Sequence, residues 1–189
     1  MEKTEKKTEK KTKKIKTIDM IYIALGAALM AVCAWISIPI GEIPITLQTL
    51  AVCLVAGLFK TKRAVCSTLI YILLGAIGVP VFAGFKSGFG VLAGPTGGYI
   101  VGFIFTAVIV GLFSEKFNGK IWALALSMVL GIAVCYAFGS VWFFIYMQSK
   151  TAVTFSYIFG LCVAPYIVPD IVKIVVACIL ANRLKKFVK

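Results

Sequence analysis

Beyond residue 17, short polar breaks cut the chain into apolar runs at approximately 18–38, 44–60, 63–82, 94–114 and 121–147, with a last hydrophobic region from about 152 to 184. A helix needs ~20 mostly apolar residues to cross the hydrocarbon core of a bilayer. The pattern therefore predicts an all-α membrane protein with six transmembrane helices. Composition agrees: 61% of the residues are hydrophobic and 14% charged, a balance foreign to soluble domains.

The basic residues are placed asymmetrically. If successive connections alternate sides, all of the twenty Lys and Arg except Lys86, Lys150 and Lys173 fall on one side. Cytoplasmic flanks carry the excess of Lys and Arg, so six spans with both termini in the cytoplasm are expected. Eight lysines lie in "MEKTEKKTEKKTKKIK", which has almost nothing to bury and reads as a disordered cytoplasmic tail over 1–17. It leads into a transmembrane domain over 18–187 and a cytoplasmic end at 188–189. The run after Ile18 is longer than a signal-peptide core, and no clear cleavage site follows it. The net charge of +13 is carried by tail and flanks, not by a stripe suited to nucleic acid.

Little here supports enzymatic chemistry. The chain has no histidine, the commonest general base and a usual metal ligand. Its six cysteines sit singly in apolar runs without C-x-x-C spacing, so they read as small core or lipid-facing residues.

Function is better sought where the chain breaks its own pattern. "SIPIGEIPITLQ" (37–48) and the glycine-rich "GVPVFAGFKSGFGVLAGPTGGYIVG" (78–102) each contain two prolines and must include irregular backbone near membrane depth. Such backbone is tolerated only where it is buried in protein or lines a cavity, so a pocket is expected on the outer side. Within "PITLQTL", Thr46, Gln48 and Thr49 cluster at the end of a span. Gln48 offers both donor and acceptor, which suits an amide-like or ureido-like ligand and suits a bridge between helices equally well. "GPTGGY" supplies Thr96 and Tyr99; its glycines allow close backbone approach to a ligand, or simply start a helix at Pro95. Lys86 in the outer loop either attracts an anion or is a solvated lysine. In the first span, Ala24, Ala27, Ala28 and Ala31 make small-x-x-x-small pairs that permit close helix approach, to another protein or within the chain.

The last region, "PYIVPDIVKIVVACILANRLKK", holds Asp170 and Lys173 three residues apart in an otherwise apolar run. Residues at that spacing share a helix face and can neutralise one another. Intramembrane ionisable residues are expensive and usually functional; the alternative is a structural pair that pins helices together. Proline belongs in a helix's first turn, so the expected last helix runs from Pro169 to about Phe187, with 152–164 as a separate outer segment covering the site. Asp170 is then a first-turn acid favoured by the helix dipole, and the pair forms the floor of an outward-facing pocket.

"ISIPIGEIPITLQTLAVCLVAGL" (36–58), "LLGAIGVPVFAGFKSGFGVLAGPTGGYIVGF" (73–103) and "APYIVPDIVKIVVACILA" (164–181) together resemble the BioY family, the biotin-specific substrate-binding (S) subunits of energy-coupling factor transporters. The combination of P-I-T-L-Q-T-L, G-P-T-G-G-Y and P-D-x-x-K carries the resemblance, which extends over about 18 to 184. It implies a compact six-helix S component that captures biotin from outside and works with a transmembrane coupling subunit and two cytoplasmic ATPases. Biotin would be substrate, with no cofactor. Asp170, Lys173, Gln48, Thr46, Thr96, Tyr99 and Lys86 become the substrate-binding candidates, and Ala24, Ala27, Ala28 and Ala31 the face toward the coupling subunit. The residues leave other functions open: an S subunit for another small vitamin, a proton-coupled secondary transporter using Asp170, an intramembrane enzyme, or a purely structural bundle.

Overall fold

A computed structural model of the protein describes residues 16–40, 42–148 and 154–187. Most of the expected lysine-rich tail, the outer-side Lys150 and the terminal 188–189 lie outside the described residues. Helix α1 spans Thr17–Trp35 and leads into a hairpin of β1 (Ser37–Ile38) and β2 (Ile45–Thr46), paired antiparallel with Ser37 opposite Thr46. The chain continues through α2 (Gln48–Leu58), α3 (Thr61–Ala76), a 3-10 turn at Ala83–Phe85 and α4 (Phe89–Leu92). It ends with α5 (Gly97–Lys116), α6 (Ile121–Gln148), α7 (Phe155–Cys162) and α8 (Ala164–Leu184).

Four of the six expected spans are recovered as helices of membrane length; α3, at 16 residues, falls short of the expected 63–82, and two further corrections apply. Helices α1, α5, α6 and α8 are long and apolar enough to cross a membrane, but α2 has only 11 residues, or ~16 Å at 1.5 Å per residue. Pro44 lies in the backbone leading to β2, and residues 44–47 are not part of α2. That pass is therefore a short helix completed by the hairpin. The second correction concerns α8, which begins at Ala164, not Pro169. Pro165 occupies the first turn, where a missing N–H costs nothing, while Pro169 sits inside the helix and forfeits only the bond toward the carbonyl of Pro165. The break between α7 and α8 lies at Val163, ahead of residues 165–168 where the prolines predict it.

Contacts sort the helix ends into two groups. Asp19 at the start of α1 pairs with Arg63 at the start of α3 at 2.5 Å. Ser114 Oγ near the end of α5 donates to the carbonyl of Gly57 near the end of α2 at 2.9 Å, and the Thr61 N–H donates to Glu115 at 2.7 Å. Lys185, beyond the end of α8, abuts the turn between α5 and α6. At this turn Asn118 and Gly119 both have positive φ (50° and 65°), a conformation suited to asparagine and glycine. The opposite end holds the hairpin, residues 77–96 and the start of α8. There Trp35 Nε1 donates to the carbonyl of Pro80 at 2.8 Å and its ring stacks on Phe85, while the Tyr166 hydroxyl donates to the carbonyl of Ile43. Among the described residues every Lys and Arg except Lys86 and Lys173 flanks the first end.

Helices α5 and α6 share the most extensive contact of any helix pair among the described residues, because small residues let their backbones meet. A Cβ at Gly98 would lie 2.3 Å from the Trp142 Cβ, one at Gly102 2.9 Å from Cys135 Sγ, and one at Gly139 2.4 Å from the Tyr99 ring. The outward faces stay apolar, with Leu25, Leu73, Leu112, Val129, Ile145 and Val172 all about half exposed or more. In a soluble protein such a surface would be an aggregation liability; in lipid it is solvated. Gly98→Ala is expected to force α5 and α6 apart, an overpacking cost of ~1–3 kcal/mol. A thermal midpoint of the detergent-solubilised variant equal to that of the parent would refute this packing account.

Candidate functional site

At the hairpin end, α2, α5, α6, α7 and α8 and the 77–96 segment enclose a cavity of about 280 Å³, close to the lower limit of small-molecule pockets at ~300 Å³. Its floor is the buried Asp170–Lys173 pair, 4% and 7% exposed. Lys173 Nζ donates to Asp170 Oδ1 at 2.7 Å, the i, i+3 contact that their spacing predicts. Asp170 also draws on two other helices: Thr49 Oγ1 of α2 donates to Oδ1 at 2.9 Å, and the Tyr136 hydroxyl of α6 donates to Oδ2. Because α8 starts five residues earlier than expected, Asp170 lies ~9 Å into the helix. The dipole, which acts within the first turn, is not what holds its charge there. The lysine and two hydroxyls are.

An ionised carboxylate has about four acceptor positions, of which three are taken. Lys173 has three donors, and among the described residues Asp170 is its hydrogen-bond partner. The floor thus presents mainly donors to the cavity, with its net charge already cancelled.

All seven residues proposed from the sequence as substrate contacts line this cavity. Their environments separate them. Thr46 Oγ1 donates to Gln48 Oε1 at 3.0 Å and accepts the Gln48 backbone N–H at 3.3 Å, while Gln48 Nε2 donates to the Tyr71 hydroxyl of α3. Gln48 therefore bridges two helices and keeps only one amide hydrogen and one lone pair for anything else. Tyr99 lies 3.4 Å from Ser140 Oγ and its carbonyl accepts from Cys135 Sγ. The Thr96 carbonyl accepts the N–H groups of Tyr99 and Ile100 as α5 begins, so "GPTGGY" is a helix start that also lines the pocket. Gly97 is obligatory there, since a Cβ would lie 1.7 Å from the carbonyl oxygen of Leu92.

Lys86 stands apart. It lines the cavity but is exposed, and it makes no ion pair among the described residues. Phe82, Val91, Ile100 and Phe103 give the walls an apolar character. Cys135 and Cys162 line the cavity as free thiols, and among the described residues no three His, Cys, Asp or Glu side chains converge as a metal site would require.

Tyr136 and Tyr166 are missing from the sequence-based set. Tyr136 had a usable signal, because tyrosine in a membrane helix belongs near the interfaces, yet this one is the sixteenth residue of a 28-residue helix. Tyr166, next to Pro165, had none. The four alanines of α1 do not share a surface. Ala24 and Ala28 are exposed on a stripe with Ile21, Leu25 and Val32, whereas Ala27 and Ala31 are buried at 4% and 8% because they point into the bundle.

A sequence model described as the BioY family matches residues 6–189. A biotin transporter BioY of Thermotoga maritima is 42% identical over 89% of this chain and 96% of its own length. A probable biotin transporter BioY of Pyrococcus horikoshii is 40% identical over 90% of this chain and 98% of its own. A crystal structure described as the S-component for biotin from an ECF-type ABC transporter superposes with a TM-score of 0.78 at 26% identity, over 89% of this chain and 91% of that one.

The floor makes a specific energetic demand. Removing one member of a buried ion pair leaves an uncompensated charge, at a cost of about 3–5 kcal/mol, whereas replacing both is far milder. Lys173→Met is expected to lower the thermal midpoint more than Lys173→Met with Asp170→Asn does. If the double variant proves the less stable of the two, the pair is not the closed unit described here.

Proposed function

The chain belongs to the BioY family, and on that premise we propose that it captures biotin in the cavity above Asp170 and Lys173. It does so as the substrate-specific subunit of an ATP-driven energy-coupling factor transporter in the cytoplasmic membrane. The protein is a transporter component and not an enzyme. Hydrolysis of ATP belongs to two cytoplasmic ATPase partners, reached through a transmembrane coupling subunit. With the basic end inside, as the positive-inside rule requires, both termini are cytoplasmic and the cavity opens outward.

The observation that carries the substrate assignment is the match between this cavity's charge layout and the ligand. Biotin has an apolar fused ring, a ureido group with two N–H donors and one carbonyl, and a carboxylate at the end of an alkyl chain. Lys173, neutralised by Asp170 at 2.7 Å, suits the neutral ureido oxygen better than an anion. The one open acceptor position of Asp170 takes a ureido N–H, and Gln48, Thr46, Thr96 and Tyr99 stand around the cavity for the remaining contacts. Lys86, exposed and without an ion pair among the described residues, suits the carboxylate at the mouth. A ligand without the ureido group would leave the floor's donors unpaired in a dry site, a loss of ~1–3 kcal/mol for each such group. Discrimination follows from that penalty. The exposed stripe of Ala24 and Ala28 is the surface offered to the coupling subunit, with Ala27 and Ala31 supporting it from within.

Isothermal titration of the purified, detergent-solubilised protein should show saturable biotin binding, lost in Asp170→Asn and in Lys173→Ala although both variants insert. No binding at micromolar biotin would sink the assignment. Lys86→Ala should weaken biotin but leave biotin amide, which lacks the carboxylate, unaffected. Equal weakening of both ligands would remove Lys86 from the carboxylate role.

A further inference from the structure

A second cavity lies at the basic end, away from the proposed biotin site. Its volume is about 260 Å³, and Tyr22 and Leu29 of α1, Leu54 and Leu58 of α2, Phe59 just beyond it and Phe187 after α8 are among its lining residues. Two of the aromatic rings at this groove carry a cation on their faces. The Arg63 guanidinium sits 4.7 Å from the Tyr22 ring centroid, and Lys186 Nζ lies 4.9 Å from that of Phe187. Lys60 directly follows Phe59 and is exposed. Arg63 is partly offset by Asp19, but Lys60 and Lys186 make no ion pair among the described residues.

We propose that this groove is a binding site for an anionic phospholipid, with one acyl chain along the apolar lining and the headgroup phosphate on Lys60, Lys186 and the outer edge of Arg63. The occupant follows from complementarity. An apolar floor with two unpaired lysines at its rim matches an amphiphile whose charge is negative and sits at one end. A zwitterionic headgroup brings its own cation to the same rim and gains less. Basic pockets between helices near a cytoplasmic surface have this chemistry in general. The site stands whether or not biotin is the transported ligand, so the two claims fail separately.

The test uses the full chain, delipidated in detergent, with phosphatidylglycerol or phosphatidylcholine of identical acyl chains added and the thermal midpoint and bound lipid by native mass spectrometry as readouts. Phosphatidylglycerol should bind about tenfold more tightly and raise the midpoint more. The double variant Lys60→Gln, Lys186→Gln should lose that preference, at roughly threefold for each of the two cations. Leu29→Trp, which fills the groove, should lose retention of both lipids. Biotin affinity should stay unchanged in both variants, which shows that they are folded. Equal binding of the two lipids would overturn the proposal. So would stabilisation by inorganic phosphate alone, or lipid retention that survives Leu29→Trp. A preference that persists in the double variant would also overturn it, assigning the effect to other basic segments, the lysine-rich residues 3–16 first.

Discussion

A carboxylate and an ammonium inside an apolar bundle have no water to solvate them, and much of this structure is arranged around meeting that need. Each charge costs ~2.5–3.5 kcal/mol at the centre of a membrane helix on insertion scales. Asp170 recovers the cost from α8 itself through Lys173, from α2 through Thr49 and from α6 through Tyr136. Three helices are thereby tied at one point, and the point is the floor of the cavity. The interaction that makes the charges tolerable also orients them.

The same constraint explains why irregular backbone is confined to one end. The hairpin, the 77–96 segment and the start of α8 all surround the cavity, where their polar groups find protein partners such as Trp35 to Pro80 and Tyr166 to Ile43. At the other end the connections are short: two residues between α2 and α3, four between α5 and α6. Capture is thus assigned to the end with varied backbone. The basic end keeps a simple helical surface flanked by cations.

The gross architecture was legible because lipid imposes a length on helices, so apolar runs such as 121–147 predict α6 at Ile121–Gln148 almost to the residue. Most of the pocket's polar residues were legible because each was an exception to an apolar background; Tyr136 and Tyr166 were not. What escaped were features decided by tertiary contact. The shortness of α2 depends on residues 37–38 pairing with residues 45–46. The start of α8 at Ala164 depends on the bundle absorbing an interior Pro169 that local preference would place in the first turn. The role of Gln48 as a bridge depends on Tyr71, 23 residues away. Alanine spacing in α1 identified small residues but not which pair faces outward, since Ala24/Ala28 and Ala27/Ala31 obey the same rule.

In the proposed complex the floor lysine, not the mouth lysine, meets the ureido group. Magic-angle spinning NMR can measure this directly in membranes, from dipolar dephasing between biotin carrying carbon-13 at the ureido carbon and lysine side chains carrying nitrogen-15. The account predicts dephasing that corresponds to a hydrogen-bonded lysine amine, and its persistence in Lys86→Ala. Absence of that contact, or its disappearance when Lys86 is removed, would contradict the account.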